Sequence, residues 1–129
     1  MEPTGPRTTL HVYCLDGNAI PVRALLDTGS ARNLIRKGAV KDLQHPINSL
    51  EDYERVPLMD ASGNFIHPLG KITARWYKHG GTRETTFYVV SDDLEIDLIL
   101  GCTFLEREGI VRFYHRLLYV QPPVLSKKG

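Results

Sequence analysis

Hydrophobic and polar residues alternate along much of the chain, a period that predicts strands rather than helices. Leu10, Val12 and Cys14 fall on one face of residues 8–15. Asp16-Gly17-Asn18 is a tight-turn signal. Beyond it Ile20, Val22, Ala24 and Leu26 alternate with Pro21, Arg23 and Leu25. Two strands around a tight turn make a hairpin, and the second of them runs directly into Asp27-Thr28-Gly29-Ser30.

Asn33-Leu34-Ile35 resumes an apolar stretch, and residues 36–43 predict a short helix that Gly38 weakens. Residues 44–55 are polar and contain Pro46, the pattern of a variable loop. Val56-Pro57-Leu58-Met59 and Phe65-Ile66 flank Asp60-Ala61-Ser62-Gly63-Asn64, which predicts a second hairpin with a small-residue tip. After Gly70, Ile72, Ala74 and Trp76 alternate with Thr73, Arg75 and Tyr77, and Lys78-His79-Gly80-Gly81 marks a turn. Residues 85–90 are rich in β-branched and aromatic side chains and predict another strand. Residues 96–100 form an apolar strand, interrupted by Asp97 and stopped at Gly101. Thr103-Phe104-Leu105-Glu106 has the spacing of a capping box, so a short helix follows, and Gly109 ends it. Residues 111–114 and 117–120 predict a last hairpin around His115-Arg116. The chain therefore reads as all-β with a short helix towards its C-terminus. Its folded domain is expected at 8–120, between tails at 1–7 and 121–129.

A chain of 129 residues suits one domain. Its 16 basic and 15 acidic side chains nearly cancel, which removes any global electrostatic case for nucleic acid or an anionic membrane. No apolar run approaches the roughly 20 residues that span a bilayer, and residues 1–6 lack a signal-peptide core. The expectation is a soluble, intracellular chain, in the cytoplasm. Cys14 and Cys102 are isolated, and reduced, buried thiols are the favoured reading, with a disulfide between them left open. The five histidines form neither an HxH nor an HExxH pattern, so neither a metal nor a cofactor is expected.

The segment with chemical content is Asp27-Thr28-Gly29-Ser30. A carboxylate stands directly after an apolar strand and before a glycine that lets the backbone turn tightly. Taken alone, such a tripeptide is an ordinary strand-ending turn. Leu98-Ile99-Leu100-Gly101 follows downstream, with the capped helix after it, and the small-residue hairpin lies between. In this combination and order the chain resembles the retropepsins, the homodimeric aspartic proteases of retroviruses and LTR retrotransposons. The resemblance spans residues 10–120. Asp27 to Ser30 with Asn33-Leu34-Ile35, and Asp97 to Gly101 with Phe104-Leu105, are most similar to gypsy-type retrotransposon proteases and cellular relatives. One departure concerns an ion pair: retroviral enzymes carry Ala-Asp after the triplet and Arg after the later glycine. The positions here are Ala31 and Cys102.

The resemblance implies a small closed β-barrel of the acid-protease type, a homodimer, and an extended peptide or polyprotein substrate. Asp27 would be the catalytic residue, one from each protomer, because the chain holds a single D-[ST]-G and is too short for two lobes. Thr28 would lock the two active-site loops together, and Gly29 would present its carbonyl to substrate. Ala31, Met59, Asp60, Ala61, Ser62, Gly63 and Asn64 would line or cover the substrate as a mobile flap. Ile99, Leu100 and Gly101 form the second signature. Leu25, Ile99 and Met59 are pocket or core positions, with core favoured for Leu25, and Arg32 is expected as a solvated surface residue. The Ser30 hydroxyl is expected to donate to the Asp27 carboxylate. Three readings stay open: an active homodimeric endopeptidase, a catalytically weak retropepsin-like module for dimerisation or peptide binding, and an unrelated small β-barrel in which D-T-G is only a turn.

Overall fold

The computed structural model describes residues 6–27, 29–59, 63–78, 81–101, 105, 111–114 and 117–120, the last two segments as backbone. The first hairpin forms as its alternation predicts. Strand β1 (Arg7–Tyr13) pairs antiparallel with β2 (Ala19–Asp27), with Leu10 opposite Val22. Gly17 takes the positive φ of 92° that the turn between them requires. Asp16 steadies that turn by accepting the Asn18 amide at 2.9 Å. The first strand stops short of Leu15, which is exposed.

A short β3 (Leu34–Arg36) leads into helix α1 (Lys37–Leu43), which buries Ala39, Val40 and Leu43. Gln44 closes the helix in the left-handed region, at φ 62°. The polar stretch that follows is not simply a loop: Asp52–Glu54 form a 3-10 turn with a capping box between Glu51 and Glu54. A small hairpin comes next, β4 (Leu58–Met59) against β5 (Phe65–Ile66). Strands β6 (Gly70–Tyr77) and β7 (Thr82–Val90) form the longest ladder, with Ile72 opposite Phe87. Strand β8 (Leu98–Gly101) is wholly buried. A final antiparallel pair, β9 (Val111–Tyr114) and β10 (Leu117–Val120), matches the predicted bounds. The capped helix falls outside the described residues except for Leu105, which is helical and buried.

Six strands close into a barrel in the order β1-β2-β8-β3-β7-β6, and β6 returns to β1 through Val12 and Trp76. Its interior holds Leu10, Val12, Val22, Ala24, Leu26, Ile72, Ala74, Trp76, Phe87, Leu98 and Leu100. The Trp76 indole N–H is satisfied there by the Thr85 hydroxyl at 2.9 Å. Leu25 breaks the in–out alternation of β2, because a second apolar cluster covers the opposite face. It joins Leu34, Val90, Ile96 and Ile99, and Leu58 and Ile66 of the small hairpin pack over them. Cys14 is a buried free thiol. No helix among the described residues is long and apolar enough to cross a membrane.

The chain order of the barrel contains one unusual step. β8 runs parallel to β2 and antiparallel to β3, and so lies between two strands that residues 28–33 join directly. That connection must cross the end of β8, and it does so at Gly101. A Cβ there would stand 2.6 Å from the Arg32 carbonyl oxygen and 2.8 Å from that of Ser30. Those contacts are backbone and cannot swing aside. Gly101→Ala is therefore expected to destabilise the fold by about 1–3 kcal/mol, read as a lower chemical-denaturation midpoint with an unchanged slope.

Candidate active site

Asp27 is the last residue of β2 and stands opposite Gly101 of β8. Burial of Leu25 and Leu26 on opposite faces anchors the strand end, and the chain then turns at once. The Asp27 carbonyl accepts the Ser30 amide at 3.1 Å, and its Oδ1 accepts the Gly29 amide at 2.8 Å. The carboxylate is thus held by its own turn and remains half-buried, at the point where the connection crosses β8.

The rest of the connection is fixed by its own side chains. The Ser30 hydroxyl donates to the Arg32 carbonyl at 2.7 Å, not to Asp27 as the sequence suggested. The turn puts the Ser30 amide on the Asp27 carbonyl and leaves its hydroxyl to the Arg32 carbonyl two residues on. Asn33 Oδ1 accepts the Gly101 amide at 2.8 Å, and the Asn33 carbonyl accepts the Tyr88 amide at 2.8 Å. The connection is therefore bonded to both β8 and β7.

Arg32 is half-buried rather than a solvated surface residue. Its guanidinium lies 4.6 Å from the centre of the Tyr88 ring, and Nη1 donates to the Glu54 carbonyl at 3.0 Å. Glu54 was hidden within a polar stretch that reads as loop, yet it is one of two buried polar residues among those described, the other being Thr85. Its Oε1 accepts Lys71 Nζ at 2.8 Å and the Glu51 amide at 2.9 Å, and its Oε2 accepts the Tyr88 hydroxyl at 2.7 Å. The only sequence signal for it was the capping-box spacing of two glutamates. The Lys71 hydrogen bond, then the Glu51 amide and the Tyr88 hydroxyl, favour the carboxylate and outweigh burial, holding Glu54 well below its ordinary 4.5, at about 2. Tyr88 moves the other way, raised by burial and by the carboxylate it donates to.

At the other end of β8, Asp97 stands just outside the strand it interrupts. It accepts Arg36 Nη2 at 2.8 Å and the Arg23 amide at 3.3 Å, joining β2, β3 and β8. Burial alone would raise the Asp97 carboxyl, but its bonds to Arg36 and Arg23 hold it below the usual carboxylate value.

Of the other expected site residues, Gly29 and Ala31 are exposed on the connection. Ile99 and Leu100 are buried on opposite faces of β8. Met59 is exposed beside Phe65 on the small hairpin, so it is not a core residue. Gly63 has φ 85°, and both it and Asn64 are exposed at the tip. Thr28, Asp60, Ala61 and Ser62 lie outside the described residues. Among the described residues no group of three His, Cys, Asp or Glu side chains could hold a metal ion.

No family model matches the sequence, and no curated protein matches it either. Solved structures do. The retroviral protease-like domain of Ddi1 from Leishmania major matches with TM-score 0.56 and 21% identity, over 91% of this chain and 87% of that one. The protease of EIAV, solved with the inhibitor HBY-793, matches with TM-score 0.60 and 18% identity, over 82% and 89%. A retropepsin-like aspartic protease from Rickettsia conorii matches with TM-score 0.52 and 19% identity, over 92% and 93%. The chain has a retropepsin-like fold.

The low value of Glu54 sets a sign for pH dependence. A carboxyl depressed in the folded state stabilises it fully above the unfolded value, and that contribution is lost as pH falls through the folded value. The unfolding free energy should therefore fall between pH 4.5 and about 2 in the native protein, and fall less steeply in Glu54→Gln. Urea titrations at several pH values measure both slopes.

Proposed function

We propose that this chain is one protomer of an aspartic endopeptidase, active as a homodimer with Asp27 from each copy at the two-fold axis. The observation that carries the reading is Asp27 itself. A single half-buried carboxylate, held by its own turn, stands at the mouth of a retropepsin-like barrel where the connection crosses Gly101.

The chemistry follows from bringing two such carboxylates together. Close like charges cannot both ionise easily, so the pair shares one proton, as aspartic proteases generally do. The ionised member takes a proton from water, which attacks the scissile carbonyl. The protonated member hydrogen-bonds that carbonyl and later protonates the departing amine. The Gly29 amide bonded to Oδ1 preorganises the charge. Thr28 would brace the paired loops.

The β4–β5 hairpin is the proposed flap. Leu58 and Ile66 anchor its base to the second apolar cluster, while Met59 and Phe65 stay exposed for contact with peptide. An extended substrate would add as a strand, with main-chain hydrogen bonds for affinity and pockets for selectivity. Polyprotein processing of the retrotransposon kind fits such a substrate. With Ala31 and Cys102 in place of the retroviral ion-pair residues, the β9–β10 pair is the proposed source of dimer contacts.

A second reading, a catalytically weak domain that dimerises or binds peptide, draws on one similar structure being described as a protease-like domain. The two separate in one experiment. A mixed peptide library is incubated with the protein at acidic and neutral pH beside Asp27→Asn. New termini that vanish in the variant are the expected result. No cleavage at any pH, with a dimer present by sedimentation, contradicts the protease and favours the binding role.

A further inference from the structure

The connection that carries Asp27 is held by a partly buried polar cluster centred on the buried Glu54. Tyr88 takes Arg32 on its ring face, its amide donates to the Asn33 carbonyl of the connection, and its hydroxyl donates to Glu54. Glu54 also holds Arg32 through its main-chain carbonyl and draws Lys71 in from β6. Its side chain is only 4% exposed. A buried ion pair is a poor device for stability, since desolvation consumes most of the attraction, and an apolar pair of similar volume often does better. What the cluster does supply is direction. A planar guanidinium lies on the face of a ring whose hydroxyl the Glu54 carboxylate holds, which limits how the side chains can be arranged.

The cluster also sits at a junction. Glu54 closes the 3-10 turn, and the β4–β5 hairpin begins a few residues later at Leu58. The connection, through Arg32 and Tyr88, and the approach to the hairpin thus meet at the same residue. We propose that Glu54 is a positioning residue: acting through Tyr88 and Arg32, it sets the conformation of residues 29–33 and with it the placement of the Asp27 carboxylate. The proposal rests on the protease reading for its catalytic consequence, but not for its structural one.

Two readouts test it. The first is native-state hydrogen exchange at the amides of Ser30, Tyr88 and Gly101, each of which donates to the Asp27 turn or to Asn33. The second is kcat and KM on a peptide the native protein cleaves, normalised to active dimer. In Glu54→Gln and Arg32→Met, exchange at these amides should accelerate about tenfold while the β1–β2 and β6–β7 ladders keep their rates. In the same variants kcat should fall about tenfold with KM within about twofold, the pattern of a misplaced catalytic group. Arg32→Lys keeps the charge and loses the planar stack, so it should restore part of both. Tyr88→Phe deletes one hydroxyl and keeps the ring beneath Arg32. It covers the case in which Glu54→Gln does not fold, and should shift both readouts in the same direction by less.

Unchanged exchange, unchanged kcat, or uniform acceleration across every ladder overturns the proposal. If the native protein cleaves nothing, the protease reading fails on its own, and the exchange pattern still decides whether Glu54 positions the connection.

Discussion

Strand β8 lies between β2 and β3, although those two strands follow one another in the chain. The connection between them has to cross β8, and Gly101 is where it crosses. Backbone passes over backbone so closely that a Cβ would force it to shift, which favours glycine at the end of the strand. Everything at the candidate site follows from this crossing. Asp27 stands beside it because β2 ends there. Asn33 bonds the Gly101 amide because the connection has just passed it. Ser30 turns inward to the Arg32 carbonyl because the path is short.

The two ends of β8 are treated differently. At one end the Asp97 carboxylate collects Arg23 and Arg36, which fixes the strand between its neighbours. Arg23 is largely exposed, so its share of that anchoring is small. At the other end no such ion pair ties β8 to its neighbours among the described residues. The connection there is held by hydrogen bonds to β8 and by the Arg32–Tyr88 stack, with Glu54 behind. The barrel places the carboxylate, and the Glu54 cluster contacts the loop that bears it.

Much of this was legible in the sequence, for physical reasons. Alternation at period two marked β1, β2 and β6, because one face of each meets a dry barrel interior. Asp27 and Gly101 were legible as a pair because strand-ending Asp-Thr-Gly and an apolar strand ending in glycine occur in a fixed order. Leu25 disobeyed the alternation, since a second cluster outside the barrel buries it too. Glu54 and Arg32 were not legible. Their enclosure depends on Tyr88 and Lys71, distant in the chain, and beyond the Glu51–Glu54 capping-box spacing a polar stretch with Pro46 carries no local sign that one of its glutamates is enclosed. The Ser30 hydroxyl was assigned the wrong acceptor, because proximity in sequence does not give direction within a turn.

On the proposed function, one carboxylate per chain becomes catalytic only when two chains meet. Mixing native protein with increasing Asp27→Asn at constant total concentration, under conditions of subunit exchange, tests this directly. If each active site needs both aspartates, cleavage falls with the square of the native fraction, because mixed dimers are silent. A fall in simple proportion to the native fraction would mean that each chain acts alone, and would contradict the account.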